Sequence, residues 1–389
     1  MSVTIHDNPD VYTPSDNPII WRFSSDQTAQ PNFSYIVEVY VDGVLDSNHQ
    51  VFPEVGIYAH FDASEKMTAK TPAPVIGQTS VVADASNNRE IYIKVFERYG
   101  TPATNQASDT SITITTFKAS LSPENIVNWT STDYSAGSSS RKFLTDLTDD
   151  ISLRTGGDYY LSIITRAQSN LTAKITLVDS SGSIVTSYSE AISNTIKIVQ
   201  LRVNLDLLVD GGSITLANAD DTDRVLVQIL SSGAFDWSEI KTFYIDRECG
   251  YRGRHLIWLN HLGGFDQFTF THNAIETGAT ITKKYKKQFG NWNGDEYVLD
   301  AYNAGEIGYL VTTTPSIELV SDWLTQSIQN WLVESVFDGV LVNMQIDLTT
   351  YSRVTLASNS YKLENDFFED LFNVTIKLSL SNSRNSPKI

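Results

Sequence analysis

Apolar and polar residues alternate with a period of two through most of this chain. Asn17-Pro-Ile-Ile-Trp-Arg-Phe23 reads as a strand after a proline turn. Phe33-Ser-Tyr-Ile-Val-Glu-Val-Tyr-Val41 follows, and Asp42-Gly43 turns it into Val44-Leu45. An Asp-Gly step between β-branched and aromatic runs is the strongest short-range hairpin signal, because both residues accept positive φ. Glu90–Tyr99 and Ser111–Phe117 continue the pattern. Strands of this density, parted by turn residues, predict a β-sandwich over 1–117. Asp62–Thr68 is the one short helical stretch within it.

The same period runs through Tyr159–Thr165, Leu171–Val178, Ser183–Tyr188, Thr195–Val203, Arg224–Leu230 and Ile240–Ile245. Glycine and aspartate mark the turns between them at Gly156-Gly157, Asp179–Gly182, Asp210–Gly212 and Ser231–Gly233. No helical periodicity competes, so 118–247 is expected to be a jelly-roll-like sandwich.

The pattern changes near Glu248. Serine vanishes from Tyr251 to Asp300, and glycine and aromatic residues cluster from Gly250 to Phe270. Arg254–Leu259 and Phe265–Phe270 read as a hairpin around Gly263-Gly264. Trp323, Leu324, Ile328, Trp331 and Leu332 then share one face at 3.6 residues per turn, which predicts a helix over 319–335, capped by Ser321 or Ser316. Strands are expected at Gly339–Val342, Val354–Leu356 and Phe372–Leu380. The chain is therefore expected to be mainly β. Two antiparallel β-sandwich domains, 1–117 and 118–247, precede an α+β assembly domain, 248–389, with one amphipathic helix.

Composition narrows the class. The 389 residues are 41% apolar, enough for sizeable cores, and no apolar run approaches the roughly 20 residues that span a bilayer. Met1–Asp10 shows neither a basic nor an apolar leader pattern, so no export signal is expected. A single cysteine, Cys249, excludes an internal disulfide framework and a Cys-rich zinc site.

Catalytic constellations are not evident. The strained Gly-x-Ser-x-Gly turn of serine hydrolases is absent. Cys249 has Arg247, Arg252 and Arg254 nearby, which would favour a thiolate, but no cysteine-enzyme pattern surrounds it and a structural thiol is the expectation. His255, His261 and His272 are spaced by six and eleven, unlike the short pairs of zinc sites, although His255 and His261 would meet if they flank the hairpin. Carboxylates are numerous, but none is singled out as a glycosidase pair. A non-enzyme without cofactor or metal is expected, and no catalytic, cofactor or metal residue is assigned.

Charge supplies the sharpest feature. The net charge is −18, which disfavours adhesion to anionic membranes and to nucleic acid. Residues 241–290 nevertheless hold eight Lys/Arg against four Asp/Glu. Arg247, Arg252, Arg254, Lys283, Lys284, Lys286 and Lys287 form this basic stretch, with aromatics between them. Such a patch on an acidic protein suits docking to the acidic surface of a neighbouring copy or another subunit. Specific nucleic-acid binding is the lesser reading, since no recognised motif accompanies the lysines.

Three stretches carry a resemblance. They are Asn17–Phe23 with Phe33–Gly43, then Lys142-Phe-Leu-Thr-Asp146 with Tyr159–Ser162, and, most distinctive, Cys249-Gly-Tyr251 with Trp258-Leu-Asn-His-Leu-Gly-Gly-Phe-Asp-Gln-Phe-Thr-Phe270. The ending, through Tyr361–Asp366 to Phe372–Ile376, also fits. Together they resemble virion proteins of tailed phages that infect Bacteroidetes. The resemblance implies a structural subunit of the tail, neck or baseplate, built as a symmetric ring. It also implies assembly in the host bacterial cytoplasm, with copies of itself and other virion proteins as partners and no membrane. The alternative is a glycan-binding module or tail adhesin with a host glycan as partner, supported only by fold analogy. A polysaccharide-degrading enzyme is a third, weaker class.

Overall fold

The structure, a computed structural model, describes residues 3–54, 56–76, 80–147, 151–154, 156–231, 235–247, 253–272, 274–287, 290–298, 305–346, 350–357, 372–381 and 384–385. The protein is mainly β, with several antiparallel sheets and short helices, as the alternation predicts. By packing, the chain forms two compact units. The first comprises Met1–Arg247, Trp258–Gln267 and Asp338–Val340, and the second comprises Glu248–Ile257, Phe268–Phe337 and Leu341–Ile389.

In the first unit, a six-stranded sheet has Tyr12–Pro14, Ile114–Phe117, Asn88–Gly100, Ser34–Val41 and Val44–Val51 in spatial order, with Ala103–Thr110 also on Asn88–Gly100. A three-stranded sheet of Thr4–Asp7, Ile20–Ser24 and Tyr58–Asp62 accompanies it. Trp21 and Phe23 on one sheet and Tyr35, Val37, Ile91 and Ile93 on the other belong to one buried cluster. The inward set follows from alternation: Val37 and Val39 are buried, whereas Glu38 and Tyr40 are only partly covered. The expected short helix is Ser64–Lys70, and it buries Met67 in the same core.

A second pair of sheets follows. The five-stranded one has Ile151–Arg154, Lys241–Asp246, Arg224–Ser231, Leu171–Val178 and Ile184–Ile192 in order. The three-stranded one has Tyr159–Ile164, Ile198–Val203 and Val82–Asp84. Tyr159 meets Phe243 edge-on between them, with ring centroids 5.6 Å apart. Arg202 and Asp158 are buried and pair bidentately, at 2.7 and 2.8 Å, and Asn204 donates to the same carboxylate at 2.7 Å. These hydrogen bonds oppose the desolvation of the Asp158 carboxylate, whose burial still raises its pKa.

The sequence boundary at 117 marks a change of sheet but not of core. Val82–Asp84 pairs with Ile198–Val203, and one buried cluster unites Tyr12, Phe117, Leu121, Leu144, Ile164 and Leu262. Leu262 is part of the Gly263-Gly264 turn, whose neighbourhood is tightly filled. A Cβ on Gly264 would lie 2.2 Å from the Leu144 carbonyl oxygen, and one on Gly263 would lie 2.5 Å from that of Lys118. Asn260 Nδ2 donates to Leu144 O and to Asp266 Oδ1, and Thr145 donates to that same carboxylate at 2.5 Å. The distinctive Trp258–Phe270 motif thus contains an anchoring turn for the first unit.

In the second unit, Val340–Gln345, Tyr351–Leu356, Thr375–Leu380, Gly305–Val320 and Ile275–Lys287 run in this order within a larger sheet that begins with the hairpin Phe265–Phe270 and Arg254–Leu259. The helix is Gln326–Asp338, not 319–335. Leu319 instead lies in the strand Gly305–Val320, and Trp323 is 58% exposed, outside the helix. Backbone pairing overrides the helical stripe here. Ser321 and Leu324 donate to the carbonyls of Val374 and Phe372, and Phe372 donates back to Leu324. Ser321 Oγ accepts from Val374 N, which leaves the Thr325 carbonyl to accept the first bond of the helix, from Gln329. Trp331, Leu332 and Val336 are its buried face.

Candidate functional site

The basic lysines fall on an element that the alternation pattern does not reveal. Ile275–Lys287 and Gly305–Val320 form a long antiparallel ribbon, from Ile275 opposite Glu318 to Lys287 opposite Gly305, with a one-residue register shift between Lys283 and Lys284. At about 3.4 Å per residue the 13-residue first strand extends roughly 44 Å. Every one of its positions is exposed. It is also the end strand of its sheet, so its outer backbone edge carries no strand among the described residues. Ile275, Ala279, Ile281 and Tyr285 recur at even spacing, but Thr277, Lys283 and Lys287 fall among them, so no clean period-two signal announces the strand.

Successive side chains alternate between faces. One face carries Ile275, Ala279, Ile281, Lys283, Tyr285 and Lys287; the other carries Glu276, Thr280, Thr282, Lys284 and Lys286. Cross-strand contacts agree with that division. Thr277 and Ser316 hydroxyls lie 2.7 Å apart on the first face, and Thr280 and Thr313 hydroxyls 3.3 Å apart on the second. Lys284 Nζ reaches Glu306 Oε2 at 3.3 Å. Glu306 stands directly opposite Lys286 in the register. Tyr285 lies near Tyr309, with centroids 6.2 Å apart. Beyond the ribbon, Asn291–Asn293 and Glu296–Val298 pair, and Trp292 is 68% exposed beside Tyr297.

Arg254 and Arg247 each have partners of their own. Arg254 Nη2 pairs with Glu276 Oε1 at 3.0 Å, near the start of the ribbon. Arg247 belongs to the first unit, where its Nη2 donates to the carbonyls of Ala219 and Thr222 at 2.7 and 2.6 Å and so closes the end of the helix Leu216–Asp221. Arg252 lies outside the described residues, as do Cys249 and Tyr361–Asp366.

No family model and no curated protein matches this chain. Among solved structures, a marsupial T cell receptor matches over 81% of this chain and 96% of its own, at 7% identity and a TM-score of 0.20. At that level the likeness bears on neither fold nor function.

The histidines take separate roles. His255 is buried and its Nδ1 lies 2.8 Å from Thr269 Oγ1, across the hairpin. It does not meet His261, whose Nε2 is 3.1 Å from Asp146 Oδ2 in the first unit. Donation from the His261 ring to the Asp146 carboxylate raises the His261 pKa, against the opposing effect of burial. Among the described residues, no group of three or more His, Cys, Asp or Glu is placed to hold a metal ion. A shallow cleft in the first unit is lined by Val41, Asp42, Val44, Leu45, Asp46, Lys70 and Arg89. Its charges pair with one another, Arg89 with Asp42 and Lys70 with Asp46. Tyr40 and Tyr92 are close enough to stack on each other, 4.7 Å apart and within 4° of parallel, so each covers one face of its neighbour rather than offering it to a sugar.

Proposed function

We propose that this protein is a structural subunit of a tailed-phage virion, set in a symmetric ring of the tail, neck or baseplate, and that the ribbon is its docking arm. One observation carries the reading. A 13-residue strand with four lysines stands exposed at every position, in a chain of net charge −18. Past Thr312, where the pairing of Gly305–Val320 with Thr375–Leu380 and Arg384–Asn385 ends, only two strands remain among the described residues. A two-stranded ribbon is marginal in water by itself, so an arm of this kind is best explained by a partner that covers it. Copies that each carry −18 repel one another, and local complementarity offsets that repulsion where they meet. The resemblance of Trp258–Phe270 to phage virion proteins supplies the class of assembly. On this reading the protein has no catalytic role, its partners are its own copies and other virion proteins, and it is assembled in the bacterial cytoplasm.

The test removes the arm. A variant with residues 283–310 replaced by a short Gly-Ser turn joins the facing Thr282 and Val311 and keeps the stretches that pair with Thr375–Leu380 and Arg384–Asn385. Negative-stain imaging and mass photometry of wild type should show rings, or incorporation into particles with other virion proteins. The shortened variant should remain a folded, unassembled subunit. Assembly of the shortened variant at the wild-type level would overturn the proposal.

A further inference from the structure

The open edge of Ile275–Lys287 has its own logic, independent of the virion reading. Exposed edges are templates for pairing, and lysines are a common way to blunt them. Here the lysines do not blunt the whole edge. They sit at one end, from Lys283 onward, and Thr277–Thr282 carries no charge at all. Glu276 marks the opposite end. The strand is thus a line of charge with a positive end, a neutral middle and a negative residue at the start.

Such a line is complementary to its own reverse. We infer that the free subunit pairs through this edge with a second copy, strand against strand, antiparallel about a two-fold axis at Ile281. In that register Glu276 of each copy faces Lys286 of the other, and Gly278 faces Lys284. Ala279 faces Lys283, and the two Ile281 side chains meet. Residues directly opposite share a face of an antiparallel sheet, so both charge pairs fall on the polar face and both isoleucines on the other. Parallel pairing would set lysine beside lysine. A shift of one residue would move every side chain to the wrong face. The lysines therefore select register and direction rather than forbid contact. Glu276 already meets Arg254 through Oε1, and its other oxygen remains suited to a lysine.

A two-fold contact of this kind closes at two copies. It shields the edge of the unassembled subunit and opens when the arm docks elsewhere.

Spin labels along the arm test the pairing on the full chain. Single cysteines at 277, 279, 281, 283 and 285, in a Cys249→Ser background, are labelled and their intermolecular distances measured by pulsed EPR. The shortest separation should fall at 281 and grow by about 7 Å for each residue moved in either direction, twice the rise of one strand residue. Lys286→Glu should raise the dimer dissociation constant roughly tenfold or more, because like charges facing across an interface are strongly unfavourable. Adding Glu276→Lys to that variant should restore the dimer. A monomer at all concentrations would overturn the inference. So would a dimer without a distance minimum at 281, or a charge-swapped variant no better than Lys286→Glu alone. Failure of this pairing leaves the arm-deletion result, and with it the virion reading, untouched.

Discussion

Lys284 and Glu306 pair across the two strands of the arm, Nζ to Oε2 at 3.3 Å, with both side chains more than half exposed. An exposed pair of this kind contributes only about 0–1 kcal/mol, so it does not hold the ribbon. The backbone ladder does that, and the lysines face outward to whatever comes next.

That division of labour gives a first prediction. Replacing Lys283, Lys284, Lys286 and Lys287 with Glu should leave the thermal unfolding midpoint within a few degrees of wild type. Assembly into rings should slow sharply and lose its salt dependence, because charge governs encounter and register. Calorimetry and light scattering on the same preparation separate the two effects. An unchanged assembly rate would remove the lysines from docking.

The turn at Gly263-Gly264 should be intolerant of any side chain. Gly264→Ala places a Cβ where the Leu144 carbonyl oxygen is 2.2 Å away, and backbone cannot yield as a flexible side chain does. Overpacking of this kind typically costs about 1–3 kcal/mol. Gly263→Ala adds a left-handed backbone, at φ 84°, to a similar clash. Urea unfolding of either variant should show an earlier transition for the first unit. Wild-type stability would mean that the turn does not pack as described.

His261 gives a prediction in pH. Its pKa lies above the usual histidine value of about 6.5 because Asp146 accepts from the charged ring. The protonated form therefore binds the fold better than the unfolded chain. This contribution is complete below the unfolded pKa and disappears as pH rises through the folded one. His261→Gln should lower the unfolding midpoint at pH 5.5 and much less at pH 8.5. An NMR titration should place the His261 pKa above 6.5 in the wild type, and a depressed value would contradict the pairing.

How far the sequence reveals this fold depends on what each residue answers to. The strands Leu171–Val178, Arg254–Leu259 and Phe265–Phe270 are read to the residue because their signal is local: alternation bounded by turn formers. The helix is displaced because Ser321 and Leu324 answer to Phe372 and Val374, some fifty residues on, and no local pattern records that. Arg247 looks like a member of the basic cluster, yet its partners are the carbonyls of Ala219 and Thr222. The arm is legible only as a run of lysines. Thr277, Lys283 and Lys287 interrupt the one face that carries Ile275, Ala279, Ile281 and Tyr285, and that face is exposed in the single copy, so neither alternation nor burial records it.

Hydrogen exchange along the arm tests its docking role most directly. The amides of Ile275–Lys287 are followed in the dilute, monomeric subunit and again in the assembled particle. Those on the outer edge should exchange quickly in the monomer and slow markedly on assembly, because a partner then supplies their acceptors. If the arm exchanges at the same rate in both states while other surfaces become protected, it is not the docking element.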